Sequence, residues 1–457
     1  MKYNKLTISN PEDLIFGDAP CKVHTRRGLV IGGGFVYPEI NFTLPAMEVS
    51  MKTLPEVKKH YSEMVVGILE RAVELHSQGL VLELETLIEM TKIPDIGVEL
   101  VKLINEFCED YYQKYQLPTE IRLTPNDLRE FDRPPKQRTS GYLPLMLELF
   151  DRGAEAGGNL LSIESTGGKE ISDDALMMCD IKKFIFSQAV LGVRDMDFLW
   201  TRILEIADKH KVLAGGDTAC GFGNTAMVLA DRHYIPKIFA AIARVATVVR
   251  TLIAIEKGAV GPDKDCGYEG IYLKAITGTP ISMEGKTSAC AHLSPVGNVA
   301  AAAADLWSNE SVQNVKLLSG IAPVAYYEQL EYDVRLMNEA KRSGKKEALL
   351  LQKLLVNSDI RLDPQALVLA PESVIRISTE IVKGSNYLQA TLLGCQEAIK
   401  VVRENINTGS LKVDEKELMW LDVLEQDIYE IPEEEAKFVE MMLPQIEDRI
   451  IPSEYGL

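Results

Sequence analysis

Short apolar runs alternate along this chain with stretches of helical periodicity, and that alternation limits the possible folds more than any other feature. Apolar runs of four to eight residues, bounded by glycines or acids, read as buried strands. Five lie at residues 79–86, 119–124, 159–164, 211–216 and around Ala259. A sixth falls within 273–282, a seventh at 315–318 and an eighth at 365–370. Helical patterns fill the intervals at 94–116, 142–156, 174–191, 195–210, 235–257, 296–307, 322–355 and 372–383. Strands alternating with helices bury a parallel sheet, and eight repeats predict the α/β class in the form of a (β/α)8 TIM barrel. An open doubly wound sheet is the other arrangement of such repeats, but no Gly-rich fingerprint follows the first run.

The flanks divide the chain into an N-terminal arm and helix at 1–78, a catalytic barrel at 79–410 and a helical extension at 411–457. The segment Gly28-Leu-Val-Ile-Gly-Gly-Gly34 imitates a phosphate loop, but no Lys-Ser/Thr follows it, and Pro38 and Pro45 oppose the helix it would need. A turn in the arm is the better reading, and Gly32 to Gly34 are candidates for the barrel mouth. The extension is acidic and amphipathic. Leu418, Leu421 and Leu424 mark a face that packs on the barrel or on a partner, and Glu433-Glu434-Glu435 reads as a solvated helical face.

Charge and cysteine usage exclude several classes. The 457 residues carry a formal charge of −18, a surface that repels nucleic acid and anionic lipid. The longest apolar stretch, 238–255, is broken by Arg244 and Arg250 and reads as a buried helix rather than a membrane span. No signal-like segment follows Met1. Seven widely spread cysteines argue for reduced thiols and a cytoplasmic location.

In a barrel the chemistry lies at the C-terminal ends of the strands. Glu85, Glu164, Asp217, Cys220, Asp265, Cys266 and Glu284 fall there. The run Lys211-Val-Leu-Ala-Gly-Gly-Asp217-Thr-Ala-Cys220-Gly ends an apolar strand on an acid and a thiol. Leu160-Leu-Ser-Ile-Glu164 and Ala259-Val-Gly-Pro-Asp-Lys-Asp265-Cys266 end in the same manner. Glu164, Cys220 and Cys266 thus come from three consecutive strands, counted as the third, fourth and fifth. Catalytic zinc takes three such protein ligands and keeps a fourth position open. No CxxC spacing supports the set. The plain alternative makes the cysteines small residues beside glycines and Glu164 an interior acid. Cys290 and His292 are competing ligands, whereas Cys21, Cys108, Cys179 and Cys395 lie in the arm or in helices, where most thiols are buried and inert.

At these residues the chain resembles the methanol:corrinoid methyltransferases. The resemblance rests on Glu164 in Leu-Ser-Ile-Glu-Ser-Thr-Gly-Gly, Cys220 in Gly-Gly-Asp-Thr-Ala-Cys-Gly-Phe and Cys266 in Gly-Pro-Asp-Lys-Asp-Cys-Gly-Tyr-Glu-Gly, and it extends over nearly the whole chain. It implies a role in one-carbon metabolism. Methanol, activated on zinc (Zn2+) held by Glu164, Cys220 and Cys266, would give its methyl group to the Co(I) corrinoid (cobalamin) of a separate carrier protein. It also implies a homodimeric core within a heterotetramer, one carrier docked on each barrel mouth. Hydroxide is a poor leaving group, so a Lewis acid and a nearby proton donor suit the reaction. Two thiolates and a carboxylate around zinc favour methanol as the neutral alcohol or a proton-sharing form over full alkoxide. Asp217, Asp265, Glu85, Glu284 and His292 are the candidate acids, and Asp217 and Asp265 are equally candidates for orienting the ligands. Two other readings stand beside this one: a related barrel methyltransferase using a methylamine or a methoxylated compound, and a non-catalytic barrel binding subunit.

Overall fold

The computed structural model describes residues 1–264 and 266–457. Its strands are, in chain order, β1 (Asp18–His24), β2 (Val30–Gly33), β3 (Tyr37–Thr43), β4 (Leu80–Glu85), β5 (Thr119–Thr124), β6 (Leu160–Ile163), β7 (Leu213–Asp217), β8 (Ser282–Glu284) and β9 (Leu306–Val312). Seven of them form one parallel sheet in the order β7-β6-β5-β4-β3-β9-β8. Between β7 and β8 runs the irregular segment 259–264. Its Val260 and Gly261 N–H groups donate to Ala214 O and Gly215 O at 2.9 and 3.0 Å. Counting that segment, eight strand positions surround the axis, and helices cover the outside, so the fold is the expected α/β barrel.

Four of the predicted strands, at 79–86, 119–124, 159–164 and 211–216, correspond to β4, β5, β6 and β7. The rest of the register differs. The barrel begins at β3, inside the region expected to be a turn-rich arm. Pro38 is tolerated because it stands at the start of the strand, and Glu39, Asn41 and Thr43 put polar groups into what would otherwise be an apolar run. Residues 273–277 belong to a helix, Gly270–Thr277, which ends on left-handed Gly278 (φ 80°), and the strand follows it at β8. The helix expected over 296–307 is limited to Gly297–Ala301. The carbonyls of Ala302, Ala303 and Ala304 bond instead to Phe16 N, Lys274 Nζ and Gly17 N, which stops the helix and lets β9 begin. The strand expected at 315–318 is absent, and Leu317 and Leu318 are exposed. The one expected at 365–370 is a helix, Pro364–Val368. It is started by a proline at its first position and by Asp363, which accepts from Gln365 N at 2.8 Å.

The arm serves the opposite end of the barrel from the mouth. β1 and β2 form an antiparallel hairpin. Val23, Leu29 and Ile31 of this hairpin pack with Tyr37, Val81, Leu160 and Leu306, all at or near the N-terminal ends of barrel strands. The glycine-rich turn therefore plugs the barrel floor and takes no part in the mouth.

The barrel axis is polar as well as apolar. Arg122 Nη2 donates to Glu39 Oε2 at 3.2 Å and Arg122 Nη1 donates to Ser162 Oγ at 2.7 Å, all fully buried. One layer nearer the mouth, Thr124 donates to Glu83 at 2.6 Å and Lys264 Nζ pairs with Glu83 at 2.7 Å. Buried charges persist only when paired, so these layers fix the strands against one another on the way to the site.

The long apolar helix Lys237–Lys257 is, among the described residues, the one helix with the length and composition to cross a membrane, and it is buried inside the protein. Its N-terminal N–H groups at Lys237 and Ile238 are capped by Glu417 at 2.8 and 2.9 Å, a favourable place for a carboxylate. Glu417 belongs to the helix Glu415–Tyr429, whose buried face is Leu421, Leu424 and Ile428, with Leu418 exposed. The extension thus packs on the barrel's own helices, Lys237–Lys257 and Tyr387–Asn407.

Candidate metal centre

Glu164 follows β6, Cys220 opens the helix Cys220–Asp231 after β7, and Cys266 follows the segment 259–264. Because β3 is the first barrel strand, these are the fourth, fifth and sixth positions, one later than the sequence pattern suggests and still consecutive. Their ligand atoms lie within 4.8 Å of one another. Cys266 Sγ donates to Glu164 Oε1 at 3.0 Å. Cys266 is fully buried, while Glu164 and Cys220 are half-buried and face the mouth.

All three groups are held toward their protonated forms. Burial raises Glu164, the Glu85 charge adds to that, and Lys264 opposes it. A hydrogen bond with Cys266 pulls Cys220 down, but burial and the charges of Glu164 and Glu284 outweigh it, so the thiol titrates above its ordinary range. Burial, then Cys220, raises Cys266 well above the ordinary thiol range. A bound divalent cation supplies the positive charge that converts such a set to thiolates and carboxylate. Two sulfurs and one oxygen from three strand ends fit a three-ligand zinc site.

Two buried acids brace the ligand loops. Asp217 accepts from Ser165 N at 3.1 Å, Thr218 N at 2.8 Å and Trp200 Nε1 at 2.8 Å, which joins the loop after Glu164 to the loop before Cys220. Burial pushes Asp217 up to about 6, with Arg250, Trp200 and Ser165 opposing. Glu269 Oε1 accepts from Ala219 N at 2.6 Å and Thr251 Oγ1 at 2.8 Å, which joins the residue before Cys220 to the loop after Cys266. Glu269 is absent from the candidates that sequence supplies. Its only signal is its place three residues after Cys266. Arg250 Nη2 donates to Ser165 O at 2.6 Å, and Arg244 donates to Gly267 O. The two arginines that interrupt the apolar helix therefore hold the backbone on either side of the site. Asn224, one helical turn after Cys220, donates to its sulfur at 3.4 Å.

Among the other candidates, Glu85 accepts from Asn41 Nδ2 at 2.7 Å and lies 3.4 Å from Lys264, which also stands 3.6 Å from Glu164. Glu284 accepts from Tyr268 Oη at 3.0 Å. His292 stands in a separate group with Glu284 and Glu310, and Cys290 is exposed. Asp265 lies outside the described residues. Cys108 and Cys395 are buried and Cys179 is half-buried, but Cys21 is exposed on β1. A cavity of about 660 Å³ opens at the ends of β3, β4 and β9, lined by Glu85, Glu310, Lys286, Cys290 and Tyr326 among others.

Residues 1–456 match the family profile of the methanol–cobalamin methyltransferase B subunit. The chain is 34% identical to the methanol–corrinoid protein co-methyltransferase of Methanosarcina barkeri, an alignment covering 100% of this chain and 99% of that one. It superposes with TM-score 0.94, at 34% identity and the same coverage, on a chain of the crystal structure of the methanol:cobalamin methyltransferase complex MtaBC from Methanosarcina barkeri.

Proposed function

From the premise that this chain belongs to the methanol–cobalamin methyltransferase B subunit family, we propose that Glu164, Cys220 and Cys266 are the ligands of a catalytic zinc ion. The enzyme transfers the methyl group of methanol to a corrinoid protein. One observation carries the zinc reading: two thiols and a carboxylate converge within 4.8 Å from three adjacent strand ends. When bound, zinc supplies Lewis acidity toward the methanol oxygen as the methyl group leaves.

The chain's own residues do the rest. Asp217 and Glu269 each tie two ligand loops together, so they set the ligand geometry, a role whose loss typically costs 10–100-fold in metal affinity or activity. Asp217 is wholly enclosed by its donors and acts as a positioning residue. The departing oxygen takes up a proton, and Glu85, which shares Lys264 with Glu164, is the candidate carboxyl group to deliver it. Lys264, shared among Glu83, Glu85 and Glu164, limits the negative charge that builds up around the ligands.

A homodimeric core with one carrier on each barrel mouth belongs to the same reading. Exposed Tyr332, Leu336, Leu350 and Leu354 on neighbouring helices offer apolar surface for it. Seven free cysteines support a cytoplasmic setting. The test is metal analysis paired with methylation of Co(I) corrinoid protein from methanol, a methylamine and a methoxylated aromatic. Zinc near one equivalent per ligand set, with turnover from methanol alone, is the expected result. A metal-free enzyme with full turnover overturns the zinc reading.

A further inference from the structure

A second constellation stands next to the first around the same barrel rim. Glu284 ends β8 at the seventh strand position, Glu310 lies near the end of β9 at the eighth, and His292 closes the short helix Lys286–Ala291 between them. One ligand atom from each falls within 4.8 Å of the other two. His292 Nε2 is 3.4 Å from Glu284 Oε1 and 3.4 Å from Glu310 Oε2.

Those two equal distances are informative. A charge-assisted N–H···O hydrogen bond closes to about 2.7–2.9 Å, well inside both separations. By contrast, the edge of a tetrahedral shell with bonds of about 2.0–2.1 Å is roughly 3.4 Å. The spacing is that of ligands arranged around a cation. The second oxygen of Glu284 is taken by Tyr268 Oη at 3.0 Å, which orients the first toward His292 and Glu310, the support that metal-binding carboxylates usually have. Glu284 is fully buried, and His292 and Glu310 are about a third exposed toward the mouth, so water can complete the shell.

The charge of the mouth points the same way. Lys264 is already divided among Glu83, Glu85 and Glu164, and Lys286 is paired with Asp333 at 2.8 Å.

We propose that Glu284, His292 and Glu310 form a second cation site, for a divalent transition metal that favours nitrogen and oxygen ligands, with zinc and cobalt as probes. One imidazole and two carboxylates without sulfur suit such an ion. It fastens the helix Lys286–Ala291 to β9 at the rim and offsets the negative charge that faces the Glu164–Cys220–Cys266 centre. The site is built from residues outside that centre and stands or falls separately from it.

The test titrates chelator-stripped full-length protein with Zn2+, read by elemental analysis, and with Co2+, read by absorption. Wild type is expected to take two equivalents. The Co2+ bound to the cysteines gives a thiolate-to-metal charge-transfer band, and the Co2+ at the second site gives only weak d–d absorption. Glu310→Gln and His292→Gln are expected to bind one equivalent and keep the charge-transfer band. Cys220→Ser is expected to lose that band and keep the d–d component. Wild type saturating at the single thiolate-bound equivalent overturns the proposal. So do Glu310→Gln and His292→Gln proteins that still bind two. Failure of the cysteine site instead appears as a missing charge-transfer band, whatever the second site does.

Discussion

Cys266 Sγ meets Glu164 Oε1 at 3.0 Å although 102 residues separate them in the chain. No local turn or helix brings such residues together. Only closure of the sheet, with β7 between them, does so. The contact is therefore a product of the barrel, and its chemistry depends on the strand ends keeping their positions.

Substituting either end of that contact, or Cys220 beside it, should remove the metal and the reaction together. Cys220→Ser, Cys266→Ser and Glu164→Gln are each expected to lower zinc affinity and methanol turnover by roughly a hundredfold or more, beyond the 10–100-fold typical of residues that only support ligands. Folding should persist, because the polar layers beneath the site are untouched. Zinc analysis and circular dichroism on the same samples check this. A variant with wild-type zinc content and rate would remove its residue from the ligand set.

Asp217 and Glu269 should fail in a different manner. Asp217→Asn keeps the shape but weakens acceptance from Trp200, Ser165 and Thr218, and Glu269→Gln weakens acceptance from Ala219 and Thr251. Both are expected to cut zinc affinity by about 10–100-fold while leaving the pH dependence of the zinc-saturated enzyme unchanged. Zinc titration and a pH–rate profile separate the roles. A proton donor would show the reverse, with normal affinity and an altered profile.

Lys264→Met should be the most destabilising single change near the mouth. Its ammonium stands 2.7 Å from Glu83, 3.4 Å from Glu85 and 3.6 Å from Glu164. Removing one member of a buried charged cluster leaves uncompensated carboxylates, at about 3–5 kcal/mol. Chemical denaturation measures this. Lys264→Met together with Glu83→Gln should recover part of the loss, and no recovery would show that Lys264 acts through something other than charge.

Much of the candidate site is legible in the sequence, for identifiable reasons. Glu164, Cys220 and Cys266 each end an apolar run on a polar group, and that pattern survives a strand count displaced by one. Arg244 and Arg250 are conspicuous in an apolar helix, though sequence shows only that they are unusual, not that they hold Gly267 and Ser165. β3 escapes notice because Pro38, Glu39 and Asn41 break its apolar run and it lies within the Gly- and Pro-rich N-terminal stretch. The run at 365–370 misleads because a short apolar stretch reads alike as strand or helix, and Pro364 with Asp363 is the cue that decides it. The braces from Asp217 and Glu269 are tertiary contacts with no local spacing rule.

The last prediction concerns acid. The short helix Pro452–Tyr455 docks beside the loop that follows Glu164. Glu454 accepts from Arg138 N at 2.5 Å, Thr139 N at 3.0 Å and the Thr139 hydroxyl, and Tyr455 Oη accepts from Gly168 N at 3.1 Å. The same loop is held from below by Asp127, which accepts from Thr166 N at 2.9 Å and pairs with Arg129 at 2.7 Å. Burial alone would raise both carboxyls. For Asp127 the Arg129 guanidinium outweighs burial, and for Glu454 the Thr139 and Arg138 donors do, so both titrate below the ordinary range. Acids depressed in the folded state add stability that is present above their unfolded values, near pH 4, and is lost as pH falls through the folded ones. Glu454→Gln should therefore be less stable than wild type at pH 7, by roughly 1–3 kcal/mol for lost charge-assisted bonds. The gap should narrow as pH drops from about 4 toward 3. Thermal melts of both proteins from pH 7 to 3 test this. A gap that holds constant or widens in acid would show that Glu454 does not bind as a carboxylate.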